Sequence, residues 1–229
     1  MAIRQFNVFV EGHDDHDLVV ALLRQRLSVD FDPTRKRERT ATYLRLAPEG
    51  DVVLVLATKG WTELAKSETA FRQAQDSGGQ NLVVFDADYD QAKYPEGGQA
   101  KRAAAIRSAV AAFAQHFAIF LFPQPAQDGD LETLLLQLTQ PAHQRVMDCY
   151  DAYELCLRQF LGADGTPYYD APSKKRRIYD YVNVMPLQGE EWERHHEKGG
   201  QKIFENSDLW NLDAPAIQPL RAFLDLHIR

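Results

Sequence analysis

The sequence predicts an α/β protein built on a mostly parallel sheet with helices on both faces, and three observations carry that expectation. Short apolar runs at 6–10, 82–85 and 118–122 alternate with segments of helical spacing. Turn residues punctuate the joins, as in Thr58-Lys59-Gly60 and Ser77-Gly78-Gly79. Two of the apolar runs end abruptly in carboxylates. Val10 leads into Glu11-Gly12-His13-Asp14-Asp15, and Phe85 leads into Asp86-Ala87-Asp88-Tyr89-Asp90.

In chain order, the strand at 6–10 is followed by a helix over 16–27, with Leu18, Val19, Leu22, Leu23 and Leu27 on one face. Asp14 and Asp15 precede it, where caps and first-turn acids belong. A polar loop then carries Arg35-Lys36-Arg37-Glu38-Arg39. Residues 42–46 and 52–57, split by Pro48-Glu49-Gly50-Asp51, read as a hairpin or as a strand with its lead-in. A helix over 61–75 leads to the second acidic strand end. An Ala-rich helix at 101–116 and a strand at 118–122, stopped by Pro123, come next. Helices at 131–138 and 148–161 complete the pattern. Residues 1–140 are expected to form the core, and 141–229 a helical, then aromatic and basic, C-terminal extension packed on it. Its tail holds Tyr168, Tyr169, Tyr179, Tyr181 and Trp192, and packing is the expected role of its rings.

Composition narrows the function classes. The chain has 229 residues, 45% hydrophobic and 26% charged, as an ordinary globular protein does. No stretch approaches the ~20 apolar residues of a membrane span, and the N-terminus enters a strand directly, so a cytoplasmic protein is expected. Cys149 and Cys156 are seven residues apart in one helix, about 10 Å along its axis, too far for a disulfide. Both are expected to be buried or half-buried thiols. A net charge of −7 counts against a broad basic surface that coats DNA. It favours a small structured substrate or a partner that supplies basic surface.

The chemistry is concentrated at the strand ends. In open α/β sheets ligands collect beyond the carboxyl ends of the strands. Glu11 at one such end and Asp86 with Asp88 at another place three like charges around one crevice, which a cation must neutralise. Oxygen-only ligands suit Mg²⁺ or Mn²⁺. Asp90 and Glu132 are candidates for further ligands, and Glu11 for a ligand or a general acid/base. Lys59, Lys174, Lys175 and Arg176 are candidates for binding phosphate. Gly12 is expected to let the backbone turn sharply after Glu11. His13 and His16 flank the acidic loop, where a softer ion would use them.

Val10-Glu11-Gly12-x-x-Asp15 followed by Asp86-x-Asp88-x-Asp90 resembles the Toprim domain of topoisomerases, bacterial primases, RNase M5-like maturases and OLD-family nucleases. Phe120-Leu121-Phe122-Pro123 with Gly129-Asp130-Leu131-Glu132-Thr133-Leu134-Leu135 looks like small stand-alone Toprim-like bacterial proteins, some of them linked to phage defence. The resemblance spans roughly residues 5–140. It implies a Toprim/Rossmann-like fold, with Glu11, Asp86 and Asp88 as the catalytic, metal-binding acids of a nuclease on RNA or DNA. A separate ATPase partner is implied by the same analogy. The chain departs from larger relatives in having no topoisomerase tyrosine motif, zinc ribbon or Walker loop. The same residues also admit a non-catalytic module that binds a nucleic-acid end or a partner. They admit as well a small-molecule phosphohydrolase or phosphotransferase, although no Gly-rich nucleotide loop is present.

Overall fold

The computed structural model describes residues 3–27, 30–31, 40–46, 50–91, 95–114, 116–197 and 200–228; the basic cluster at 35–39 lies outside the described residues. The chain divides into two compact units, Met1–Leu134 with Pro215–Arg229, and Leu135–Ala214. The expected division put everything after 140 into one extension. The last helix instead belongs to the first unit, because its apolar face packs there.

The first unit is built on a six-stranded sheet. Its strands are β1 (Gln5–Val10), β2 (Asp30–Phe31), β3 (Ala41–Arg45), β4 (Val52–Ala57), β5 (Asn81–Asp86) and β6 (Ala118–Phe122), in the spatial order β2-β3-β4-β1-β5-β6. Strands β4, β1, β5 and β6 run parallel to one another, while β3 pairs antiparallel with β4 and β2 with β3. This is the mostly parallel α/β fold that the alternating pattern predicts. Strands β1 and β5 are central, and Val8, Phe9, Val10 and Leu82 to Phe85 are wholly buried. That burial explains why both read as unbroken apolar runs.

Side-chain alternation separates the two faces. On one, Phe9, Val83, Phe85 and Leu121 pack against Leu64, Phe71, Ile106 and Val110. Those partners come from a 3₁₀ segment (Trp61–Ser67) and from α2 (Glu68–Asp76) and α3 (Gln99–Val110). Phe9 stacks on Phe71 with ring centroids 4.3 Å apart. On the other face Phe120 meets Phe223 of the C-terminal helix, Gln218–His227. That helix is tied to α1 (His13–Leu27) by the Arg26–Asp225 ion pair, 2.5 Å, and by Arg221 donating to Gln25, 2.7 Å.

The expected helix at 61–75 is therefore two pieces. Gly60, at φ 110, enters the 3₁₀ segment with no side-chain cap, and the regular helix begins only at Glu68. Helix α1 starts three residues earlier than expected and takes Asp14 and Asp15 into its first turn.

The second unit contains helices α5 (Gln144–Arg158), α6 (Lys174–Asn183) and α7 (Gly189–His196). Its core is Ile178, Tyr181, Val182, Phe204, Leu209 and Trp210. The Tyr181 hydroxyl donates to the Leu209 carbonyl at 2.7 Å, and the Trp210 indole to the Lys202 carbonyl at 2.6 Å. Two expectations are corrected here. Cys149 and Cys156 are free and exposed, because α5 turns Met147 inward and its two cysteines, two turns apart, lie on another side. Trp192, Tyr168 and Tyr169 are also exposed, whereas Tyr181 packs as expected, with Trp210 buried beside it. Among the described residues no helix is long and apolar enough to cross a membrane.

Candidate functional site

The parallel pairing of β1 with β5 brings two acids together. Val10 is in register with Val84, so Glu11, just past β1, and Asp86, the last residue of β5, lie at the same carboxyl edge of neighbouring strands. Asp15, from the first turn of α1, closes over them. Its carboxylate accepts the Gly12 N–H at 3.1 Å, and it is buried. The backbone bends at Glu11–Gly12 as expected, but Gly12 is not in the left-handed region, and what its missing side chain provides is space. A β-carbon there would stand 3.2 Å from the Asp15 carboxylate.

Asp86 also receives the backbone N–H of Leu131 at 2.8 Å, at the start of α4 (Leu131–Leu135). Asp130 caps that short helix by accepting the Thr133 N–H at 2.9 Å. Glu132, in the first turn, lies close enough to repel both Glu11 and Asp86.

Asp88 is positioned differently. Its backbone is left-handed, at φ 56, and doubly bonded to Gly129 through N–H···O contacts of 2.6 and 2.9 Å. Its carboxylate is ion-paired with Arg102 of α3, a buried side chain lying 5.5 Å over the Trp61 ring.

Electrostatics follow from this crowding. Burial raises the pKa of Glu11; Arg102 pulls it down, while Asp88 and Glu132 push it up. Asp86 is held well above the ordinary carboxylate range by burial, then by Asp15, Glu11 and Glu132. Asp15 is pushed up to about 7, chiefly by burial and then by Glu11. One oxygen of Glu11 and one of Asp15 are buried without a hydrogen-bond partner. Unmatched carboxylate oxygens of this kind fit a hard divalent cation. Among the described residues no three His, Cys, Asp or Glu side chains already converge as an ion cage. Mg²⁺ needs only one or two carboxylates when water and phosphate supply the rest, and Glu11 with Asp86 provides that number.

The other candidates have different partners. Asp90 is exposed and pairs with Lys101 at 2.6 Å. Lys59, at φ 64, gives its backbone N–H to the Glu11 carbonyl at 3.0 Å, and its side chain is exposed. Lys174, Lys175 and Arg176 belong to the second unit, in the first turn of α6, where Ser173 accepts the Arg176 N–H and Arg176 pairs with Asp180 at 2.8 Å. His13 is exposed; His16 is buried with Nδ1 3.1 Å from Asp17. Two site residues went unforeseen. Asp15 reads as a helix-start acid, although it closes the Val10-Glu11-Gly12-x-x-Asp15 motif, and Arg102 lies unremarked in the Ala-rich helix.

Fold and site together define an α/β protein with a half-buried cluster of carboxylates at the carboxyl edge of a mostly parallel sheet. The chain belongs to the DUF3226 family, described as "protein of unknown function", whose model matches residues 5–228. It is also similar to the crystal structure of hypothetical protein PH0156 from Pyrococcus horikoshii OT3. The TM-score is 0.55 at 14% identity, over 97% of this chain and 100% of that one. At that identity the likeness is one of fold. No curated protein matches the chain.

Proposed function

We propose that this protein is a Toprim-like, divalent-metal-dependent phosphodiester hydrolase that acts as a nuclease on RNA or DNA. One observation carries the reading. Glu11 and Asp86 end adjacent parallel strands and, with Asp15 and Glu132 beside them, form an acidic cluster in which burial and mutual repulsion raise the pKa values of Glu11, Asp15 and Asp86. Mg²⁺ or Mn²⁺, when bound, polarises a phosphoryl oxygen and makes water a better nucleophile. Glu11 and Asp86 would hold the ion. In the alternative role, Glu11, whose pKa burial raises, would move a proton to or from the water or the leaving oxygen. The nucleic-acid partner, a separate ATPase, a part in phage defence and a cytoplasmic location belong to this same reading.

The test is cleavage of tRNA, single-stranded DNA and plasmid DNA with Mg²⁺ or Mn²⁺, comparing wild type with Glu11→Ala and Asp86→Asn. Products that require metal and disappear in both variants support the reading. Metal binding that is lost in Asp86→Asn, with every substrate left intact, replaces it with the non-catalytic binding module. Metal binding unchanged in Asp86→Asn overturns it.

A further inference from the structure

We propose that Arg102 is a resident counter-ion that withholds Asp88 from the ion, so that Glu11 and Asp86 are the standing ligands and Asp88 is not. The proposal rests on the metal-dependent reading above and deepens it by dividing the acids into two sets.

The first argument is charge matching. Arg102 is only 5% exposed, and a buried guanidinium requires a paired anion. Asp88 is that anion. Glu11, Asp15 and Asp86 are crowded by one another instead, and two of them keep an oxygen with no hydrogen-bond partner. Arg102 also acts on Glu11, yet its ion pair is with Asp88, and the carboxylate oxygens left unmatched belong to Glu11 and Asp15.

The second argument is mechanical, since both ends of the pair are anchored. Asp88 is fixed by its two backbone bonds to Gly129 and by its left-handed conformation. Arg102 begins one turn into α3, its N–H bonded to the Gly98 carbonyl at 2.9 Å. The Gly98 N–H is bonded in turn to the Ala87 carbonyl at 2.9 Å, one residue before Asp88. The guanidinium lies over Trp61. A loop and a helix start are thus laced together around one ion pair. Moving Asp88 onto a metal would leave a buried arginine without its anion.

Mn²⁺ titration by calorimetry, without substrate, tests this. Asp86→Asn is expected to weaken binding by at least about tenfold. The charge-neutral double variant Arg102→Gln/Asp88→Asn removes a pair that is not ligating, and is expected to stay within about threefold of wild type. A double variant as weak as Asp86→Asn overturns the proposal. Circular dichroism establishes that each variant is folded. Wild-type crystals grown with Mn²⁺ give a second test that needs no substitution. The anomalous peak is expected beside Glu11 and Asp86, with Asp88 still on Arg102; Asp88 in contact with the ion overturns the proposal while leaving the metal-dependent reading intact. A wild type that binds no Mn²⁺ overturns both.

Discussion

Asp86 accepts the backbone N–H of Leu131 at 2.8 Å, so one carboxylate both fastens the start of α4 and confronts Glu11. These two roles respond differently to substitution. Asn keeps an acceptor oxygen for Leu131 and removes a charge that burial disfavours. Metal-free Asp86→Asn is therefore expected to equal or exceed wild type in stability at pH 8, while Asp86→Ala falls below Asp86→Asn by about 1 kcal/mol. Urea denaturation of the three proteins in a chelator checks this.

The raised pKa of Asp15 fixes the sign of a pH dependence. The folded protein keeps a proton up to about pH 7 that the unfolded chain releases near 3.8. The stabilisation is complete at low pH and is lost as pH rises through about 7. Between pH 5 and 8 this group should cost the metal-free protein on the order of 2 kcal/mol. Asp15→Asn should remove that difference, and millimolar Mn²⁺ should raise Tm more at pH 8 than at pH 5. Thermal melts over this range, with and without Mn²⁺, check both statements.

Gly12→Ala isolates the space beside Asp15. The added carbon would stand 3.2 Å from the Asp15 carboxylate, with no backbone strain at this position. Stability should change by less than about 1 kcal/mol, yet Mn²⁺ affinity should fall severalfold as Asp15 is displaced. Calorimetry beside a urea melt separates the two effects.

Gly78 and Gly79 should respond unequally, although both close the same helix. Gly78 is at φ 75 with open space around its missing side chain, so Gly78→Ala should cost about 1–2 kcal/mol of backbone strain. A β-carbon on Gly79 would fall 1.9 Å from the Gln5 carbonyl oxygen, at the start of β1. Gly79→Ala should cost at least about 3 kcal/mol, visible as a larger loss in the same denaturation assay.

Much of the first unit is legible in the sequence because its sheet is buried on both faces. Residues 6–10 and 82–85 can be apolar throughout, and the charged residues that end them mark the sheet's edge. The acids Glu11 and Asp86 could be found on that ground. Asp15 was not assigned to the site because a first-turn acid has an ordinary role at a helix start. Arg102 was out of reach for a different reason: its burial depends on Trp61, Gly98 and Asp88, which no local pattern connects. The cysteines of α5 failed similarly, since a helix that turns only Met147 fully inward leaves small apolar residues on its surface. Tyr181 and Trp210 satisfied their polar atoms on carbonyls within the second unit and so could be buried, whereas Tyr168 lies exposed.

The return of the last helix to the first unit has a consequence for biosynthesis. On a ribosome, all six strands emerge long before residues 218–227, and the whole second unit is made in between. At about 5–20 residues per second, that interval lasts roughly 4 to 16 seconds. Throughout it Phe120 lacks the ring of Phe223 that covers it, and the nascent sheet presents an apolar side to its surroundings. The second unit is thus a timer as well as a domain: the longer it is, the longer the sheet behind it must wait for its final wall.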